Sequence, residues 1–138
     1  MAMSEALANS ILNTNLTTGA RFMWLHTGDP GAAGTAAPTI STGNSTSPRV
    51  AITFAAPAND GVFGEGRKVV SASTGVWTAT EMGPGQVIKY FTLWTSSETG
   101  GSVLFISAVE TSKETGADGV KVASGDITAA IEIFKKSA

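Results

Sequence analysis

The sequence predicts an all-β fold, an antiparallel β-sandwich or small barrel of about seven or eight strands with one short N-terminal helix. Only 14% of the residues are charged, 16 of the 138 are Gly, and Ser and Thr are frequent. Short apolar runs alternate with a period of two and are separated by turn-forming residues. No helix of crossover length separates these runs, which argues against a parallel sheet.

The predicted helix spans residues 4–13. Ser4 can cap its N-terminus, and Glu5 lies in the first turn, where the helix dipole favours an anion. Leu7 and Ile11 are four residues apart and form an apolar stripe, to which Ala8 and Leu12 are further candidates. A helix of about ten residues is marginal alone. We therefore expect the stripe to lie on the protein's own sheet or on a neighbouring subunit.

Alternating apolar residues predict the strands that follow. The first, at 22–26, contains Phe22 and Trp24 and is apolar on both faces. That pattern indicates a sandwich interior or a subunit interface rather than an exposed sheet edge. The predicted strands cover 22–26, 49–55, 68–72, 76–80, 86–95, 102–110, 120–123 and 127–133.

Residues 32–48 are predicted to form a long surface loop. They consist mostly of Ala, Gly, Ser, Thr and Pro, and Ile40 is their one large apolar residue. Such a segment cannot build a core of its own, and loops of this length are usually functional or mobile. The length of 138 residues fits one ordinary domain, so we predict a single domain over 1–138.

The composition excludes several kinds of chemistry. Without Cys and with a single His, the chain has no disulfides, thiolate metal sites, Cys nucleophiles or multi-His sites. The net charge of -2 argues against a nucleic-acid partner. Residues 1–11 lack the pattern of a secretory signal, and no run reaches the roughly 18 apolar residues of a membrane span, so we expect no membrane partner.

Individual motifs point away from catalysis. The one imidazole, His26, ends an apolar strand and is interpreted as structural. The Gly-rich run 61–66 lacks the spacing of a nucleotide-binding loop and is interpreted as a turn or bulge. We therefore predict no catalytic residue, no cofactor and no metal ligand, and a protein that is not an enzyme.

Two residue sets leave alternatives open. Acidic residues in predicted loops could bind Ca²⁺, although Asp in turns commonly bonds its own backbone. Aromatic residues could form a sugar-binding platform, although residues in alternating strands usually pack in the core. The acids are Asp29, Asp60, Asp118 and Asp126, and the aromatic residues are Trp24, Trp77, Tyr90 and Trp94.

Several blocks of the sequence resemble a known group of proteins. LHTGDPG at 25–31, an Ala/Gly/Thr loop, and RVAITF at 49–54 are the specific part. Shorter blocks continue the order, namely FTLW at 91–94, GG at 100–101, LF at 104–105 and ASGDI at 123–127. Over residues 5–134 the chain resembles small structural proteins of tailed bacteriophages, especially those of actinobacteria, commonly labelled tail-fibre-like or minor tail proteins. It departs in a longer 32–48 loop and a more charged 113–119 loop.

The resemblance implies a structural protein of the virion, made in the host cytoplasm. One compact domain without a shaft cannot be a long fibre by itself. We therefore predict a capsid-decorating protein that binds other copies of itself and the major capsid or tail proteins. The alternatives are a minor tail or tail-fibre-like protein that contacts the host, and a carbohydrate-binding module or glycan hydrolase. The candidate interface residues are Leu7, Ile11, Phe22, Trp24 and Ile40.

Overall fold

A computed structural model describes residues 3–59, 66–98 and 100–131 of the chain. The chain divides into two compact units, each assembled from separate segments. Unit 1 consists of Met1–Ala20, Thr53–Thr74 and Ala123–Ala138, and unit 2 consists of Arg21–Ile52 and Gly75–Val122. The single domain over 1–138 stays a prediction.

Within the described residues, unit 1 contains one α-helix and three strands, and unit 2 contains six strands. The strands are β1 Arg21–His26, β2 Val50–Ile52, β3 Ala58–Asn59, β4 Arg67–Val70, β5 Gly75–Trp77, β6 Val87–Trp94, β7 Val103–Glu114, β8 Val120–Val122 and β9 Thr128–Ile131. All pair antiparallel. The predicted all-β, antiparallel class with one short N-terminal helix is confirmed.

The helix of unit 1, α1, spans Glu5–Leu12. Ser4 caps it as predicted, because its Oγ accepts a hydrogen bond from the Leu7 amide at 3.1 Å. Ala8 and Leu12 form the buried stripe of the helix, whereas Leu7 is exposed.

A π-helical turn, Asn13–Thr17, follows α1 directly. The polar side chains in and just after this turn bond carbonyl oxygens four residues earlier. Asn15 Nδ2 donates to the Ile11 carbonyl at 2.8 Å, and Thr18 Oγ1 donates to the Thr14 carbonyl at 3.3 Å. These bonds compete with the regular α-helical pattern, which ends the α-helix and widens its last turn.

The sheet of unit 1 has the strand order β3-β4-β9. Arg67 on β4 organises one end of it, because its Nε donates to Asn9 Oδ1 at 2.8 Å and its Nη1 lies 3.5 Å from Glu5 Oε1. At the other end, the Ser71 amide donates to the Ile127 carbonyl at 2.8 Å.

Unit 2 contains a four-stranded sheet with the order β2-β1-β6-β7 and a two-stranded sheet made of β5 and β8. Met23 on β1 lies opposite Leu93 on β6, and both are buried. Trp77 on β5 is fully buried, and its Nε1 donates to the Pro48 carbonyl at 2.8 Å. The core of unit 2 thus includes residues from both sheets.

Some strand boundaries differ from the predictions. The two residues of β3 lie inside a predicted loop, and the strand predicted at 76–80 ends at Trp77. Thr78 and Glu81 explain the early end, because the Thr78 amide donates to Glu81 Oε1 and the Glu81 amide donates to Thr78 Oγ1. This reciprocal pair closes a turn. Residues 132–133 of the last predicted strand, Asp60 and most of the Gly-rich run 61–66 lie outside the described residues.

Candidate functional site

The best-defined polar arrangement in unit 2 centres on Arg49, which directly precedes β2. Its guanidinium carbon lies 3.8 Å from the ring centre of Trp94 and 5.0 Å from that of Trp24. A cation over the face of an indole ring is attracted by the negative π surface. Arg49 therefore stacks on two buried aromatic residues while part of its side chain reaches the surface.

The same guanidinium holds the connection between β6 and β7. Arg49 Nη1 donates to the carbonyl oxygens of Ser96, Glu98 and Gly100 at 3.0, 2.7 and 3.0 Å. Hydrogen bonds from a charged donor are stronger than those between neutral groups. Residues 95–98 and 100–102, here called the anchored loop, are therefore tied to the core through their backbone carbonyls.

Several described side chains of the anchored loop face solvent. Ser97 and Glu98 are exposed, and the backbone of the Gly100-Gly101 pair takes positive φ angles of 115° and 70°. A Cβ at Gly101 would lie 2.8 Å from Ser96 Cβ, so this position requires Gly. The result is a small polar surface on a fixed backbone, which suits recognition of a partner.

The two tryptophans under Arg49 belong to one face of the sheet. Trp24 on β1 lies opposite Thr92 on β6, which makes Trp94 its diagonal neighbour. Their ring centres are 6.2 Å apart at an interplanar angle of 67°, the edge-to-face arrangement that aromatic pairs prefer. Trp24 Nε1 donates to the Ser47 carbonyl at 2.9 Å, so both the ring face and the N–H of this side chain have partners.

His26 completes the buried network. Its Nδ1 lies 2.8 Å from the Ala36 carbonyl, which can only accept, so Nδ1 carries the proton. Nε2 then accepts from Thr92 Oγ1 at 2.9 Å, and Thr92 Oγ1 in turn accepts from Trp94 Nε1 at 2.7 Å. Burial lowers the pKa of His26, the Ala36 carbonyl opposes this shift, and the Arg49 charge adds to it. Both ring nitrogens therefore serve structure, as the interpretation of His26 proposed.

The long segment between β1 and β2 contacts this face of the sheet at several points. The Thr39 amide donates to the Leu25 carbonyl at 3.0 Å, and the Ser47 amide donates to the Thr39 carbonyl at 2.8 Å. Gly34 has a φ of 72°, and a Cβ there would lie 3.0 Å from Val103 Cγ2 and 3.1 Å from Trp94 Cζ2. The segment predicted as a surface loop at 32–48 thus packs against Trp24 and Trp94.

The predicted interface residues are spread over both units. Leu7 and Ile40 are exposed, Ile11 and Phe22 are half-buried, and Trp24 is buried. Leu7 and Ile11 belong to unit 1, and the other three belong to unit 2. The structure therefore does not place the five on one element, and their role as an interface stays a prediction.

The three tryptophans and two of the acidic candidates have structural partners. Trp24, Trp77 and Trp94 are buried, which leaves them no exposed face for sugar stacking, and Tyr90 is half-buried. Asp29 accepts from the Gly31 amide, and Asp126 accepts from the Ala123 amide, so each bonds its own turn. Among the described residues, no three His, Asp or Glu side chains are grouped as ligands for a metal ion. Nor does the described part of the chain contain a helix long and apolar enough to cross a membrane.

Sequence reasoning did not single out Arg49. In the sequence it is an Arg before an alternating apolar run, and nothing local connects it to Trp24 or Trp94. Its role depends on the pairing of β1 with β6, which brings two distant tryptophans side by side.

These features define a β-rich protein whose aromatic core fixes a polar surface loop. Residues 2–130 match the family described as "Podophage GP4 fiber I protein gp80", and the chain belongs to this family. It is a tail-fibre-like structural protein of a bacteriophage, and the family assigns it to the virion. The description names podophages and no actinobacterial host, so that part of the resemblance stays a prediction. Among curated proteins, none matches the chain.

Proposed function

We propose that this protein is a component of a phage tail fibre that acts by binding, not by chemistry, and that its anchored loop contacts the host surface. The observation that carries the proposal is the match to a fibre family over residues 2–130. This match favours the tail-fibre alternative over the capsid-decorating role that the sequence analysis put first.

The geometry of unit 2 supports a binding role. Arg49 Nη1 and both ring nitrogens of His26 form hydrogen bonds within the chain. These groups are therefore engaged in holding the fold. What reaches solvent is the fixed polar backbone and the small side chains of the anchored loop, a surface of the kind that recognises a partner.

Immunogold labelling of intact virions tests the position of the protein. Antibodies against the chain are expected to label the tail region, with few copies per particle. Labelling spread evenly over the shell would overturn the tail-fibre proposal and support capsid decoration instead.

Adsorption measurements test the contact of the anchored loop with the host. Purified protein is expected to slow phage adsorption by competing for the host surface. Ser97→Arg in the loop should remove the competition, whereas Ser124→Arg, an equally small exposed residue in unit 1, should not. Equal competition by both variants, each shown to be folded by circular dichroism, would contradict a role for the loop.

A further inference from the structure

Arg49 and His26 share one indole ring in unit 2, that of Trp24. The Arg49 guanidinium carbon and the centre of the His26 ring each lie 5.0 Å from the centre of the Trp24 ring. Nδ1 of His26 donates and Nε2 accepts, so the imidazole is neutral beside the charged guanidinium. A proton on His26 would therefore place two cations against the same ring, where burial leaves little water to screen them.

Protonation of His26 would also disturb the hydrogen bonds beneath Arg49. An imidazolium has two donors and no acceptor, so Nε2 would have to donate to Thr92 Oγ1. Thr92 Oγ1 already accepts from Trp94 Nε1, and its own hydrogen would lose its acceptor in a buried position, which is destabilising. A proton on His26 therefore also acts on Trp94, the second ring on which Arg49 stacks.

The elements packed around His26 carry few groups that could neutralise its charge. Their charged and titratable residues are Arg21 on β1, Asp29 in the turn after β1, Arg49, and Lys89 and Tyr90 on β6, whereas residues 30–48 and residues 103–108 of β7 have none. Among these groups, Arg49 is the one whose charge lowers the pKa of His26. Asp29 is exposed and accepts from the Gly31 amide in its own turn. On these described elements, no carboxylate is placed to neutralise a charge on His26.

Arg49 is the member of this group that can move toward solvent. His26, Thr92 and Trp94 are buried, whereas Arg49 is half-buried. Its Nη1 donates to three backbone carbonyls of the anchored loop. If the guanidinium leaves the indole rings, these carbonyls lose their common donor, and the loop is no longer tied to the core.

We propose that His26 is a proton-operated switch for the anchored loop: a proton on its ring expels Arg49 from the indole rings and frees the loop. Because burial lowers the pKa of His26, the loop is held at neutral pH and is released in acid. The switch does not depend on where the protein lies in the virion or on what the loop contacts, so its failure would leave the proposed function standing.

Amide hydrogen exchange of the full chain tests the release. The Thr95 amide donates to the Ser102 carbonyl at 3.1 Å, and the Ser102 amide donates to Thr95 Oγ1 at 2.9 Å, so both amides report on the closed loop. Their protection, corrected for the intrinsic effect of pH on exchange, should fall by up to about tenfold per pH unit below 6.5, because opening takes up one proton. The buried Thr39 amide, which donates to the Leu25 carbonyl, is the reference for opening of the sheet and should stay more protected than the loop amides. Protection of the loop that is independent of pH, or equal to that of Thr39 at every pH, would overturn the proposal.

Two variants separate His26 from the carboxylate of the loop itself. His26→Gln removes the titrating ring and should make the protection of the loop amides independent of pH between 5.5 and 7.5. Glu98→Gln is the matched control, because Glu98 is exposed and is the one acidic residue of the loop, and this variant should keep the pH dependence of the parent protein. A pH dependence that survives in His26→Gln, or that disappears in Glu98→Gln, would count against His26 as the switch.

An NMR titration of His26 keeps the test independent of folding defects in the Gln variant. The chain has one His, so its imidazole gives a single titration curve. Coupling between two sites is reciprocal, so if a proton on His26 weakens the hold of Arg49, loss of Arg49 must favour that proton. Arg49→Ala should therefore raise the pKa of His26, whereas Lys89→Ala, which removes an exposed cation on β6, should leave it unchanged. The same His26 pKa in Arg49→Ala and in the parent protein would contradict the coupling.

Discussion

The Arg49 guanidinium lies over the face of the Trp94 indole ring, with its central carbon 3.8 Å from the ring centre. Because Arg49 Nη1 also donates to three carbonyls of the anchored loop, one side chain connects the aromatic core to an exposed surface. The stability of the core and the shape of the loop are therefore coupled through this residue.

Arg49→Ala should lower the free energy of unfolding by about 2 kcal/mol, since it removes the stacking and the charged hydrogen bonds together. Arg49→Lys keeps the charge but lacks the planar guanidinium, so it should recover only part of the loss. Urea unfolding measures both. Lys89→Ala, at an exposed position of β6, is the control and should change stability by less than about 0.5 kcal/mol. Equal losses in the Arg49→Ala and Lys89→Ala variants would show that the stacking adds nothing.

Thr92→Val should destabilise the protein by about 1–3 kcal/mol although the side-chain shape is kept. The substitution leaves the donor Trp94 Nε1 and the acceptor His26 Nε2 without their partner in a buried position. Thr92→Ser retains the hydroxyl and should lose less stability. Chemical unfolding compares the stability of the two variants directly. A Thr92→Ser variant less stable than Thr92→Val would contradict the hydrogen bonds from Trp94 to Thr92 and from Thr92 to His26.

Stability should decrease as the pH falls below about 6.5, the ordinary pKa of His. Burial lowers the pKa of His26 in the folded protein, so between that lowered pKa and 6.5 the unfolded chain binds a proton that the folded chain does not. The decrease should level off below the lowered pKa, and above 6.5 the residue should add no pH dependence. Urea unfolding over a pH series measures this. In the His26→Gln variant this loss of stability at low pH should be absent. Parallel curves of stability against pH for the parent protein and the variant would contradict its attribution to His26.

Gly34→Ala should cost more stability than Gly31→Ala. Both positions have a φ of 72°, so the backbone strain of about 1–2 kcal/mol is common to the two variants. Only at Gly34 would the new Cβ meet other atoms, those of Val103 and Trp94, at 3.0 and 3.1 Å. Thermal unfolding of the pair isolates the packing between the 32–48 segment and the sheet. Equal melting temperatures of the two variants would show that the packing of Gly34 against Val103 and Trp94 leaves room for a methyl group.

The fold class could be predicted because composition and period-two alternation act locally. Ser4 and Glu5 indicated the start of the helix, and the alternation in 86–95 and 102–110 indicated the long hairpin of β6 and β7. The pairing of other strands could not be predicted in this way. The strands β4 and β5 are neighbours in the sequence, yet β4 pairs with β9 and β5 pairs with β8. Such pairings depend on contacts between residues far apart in the sequence.

The candidate site was predicted only in part. The structural role of His26 and the core position of the tryptophans followed from their place in apolar strands. The role of Arg49 did not, since its partners lie 25 residues before it and 45 residues after it, as the positions of Trp24 and Trp94 show. The contacts of the 32–48 segment with the sheet were not predicted either. Its small residues indicate a loop, but Gly34 lies close to Trp94 and Val103, where larger residues would not fit.

Cryo-electron microscopy of intact virions tests the central claim most directly, because it locates the chain in the particle. We expect the two described units to fit density in a tail fibre, with the anchored loop facing away from the particle. Density for the same units distributed over the capsid shell would contradict it.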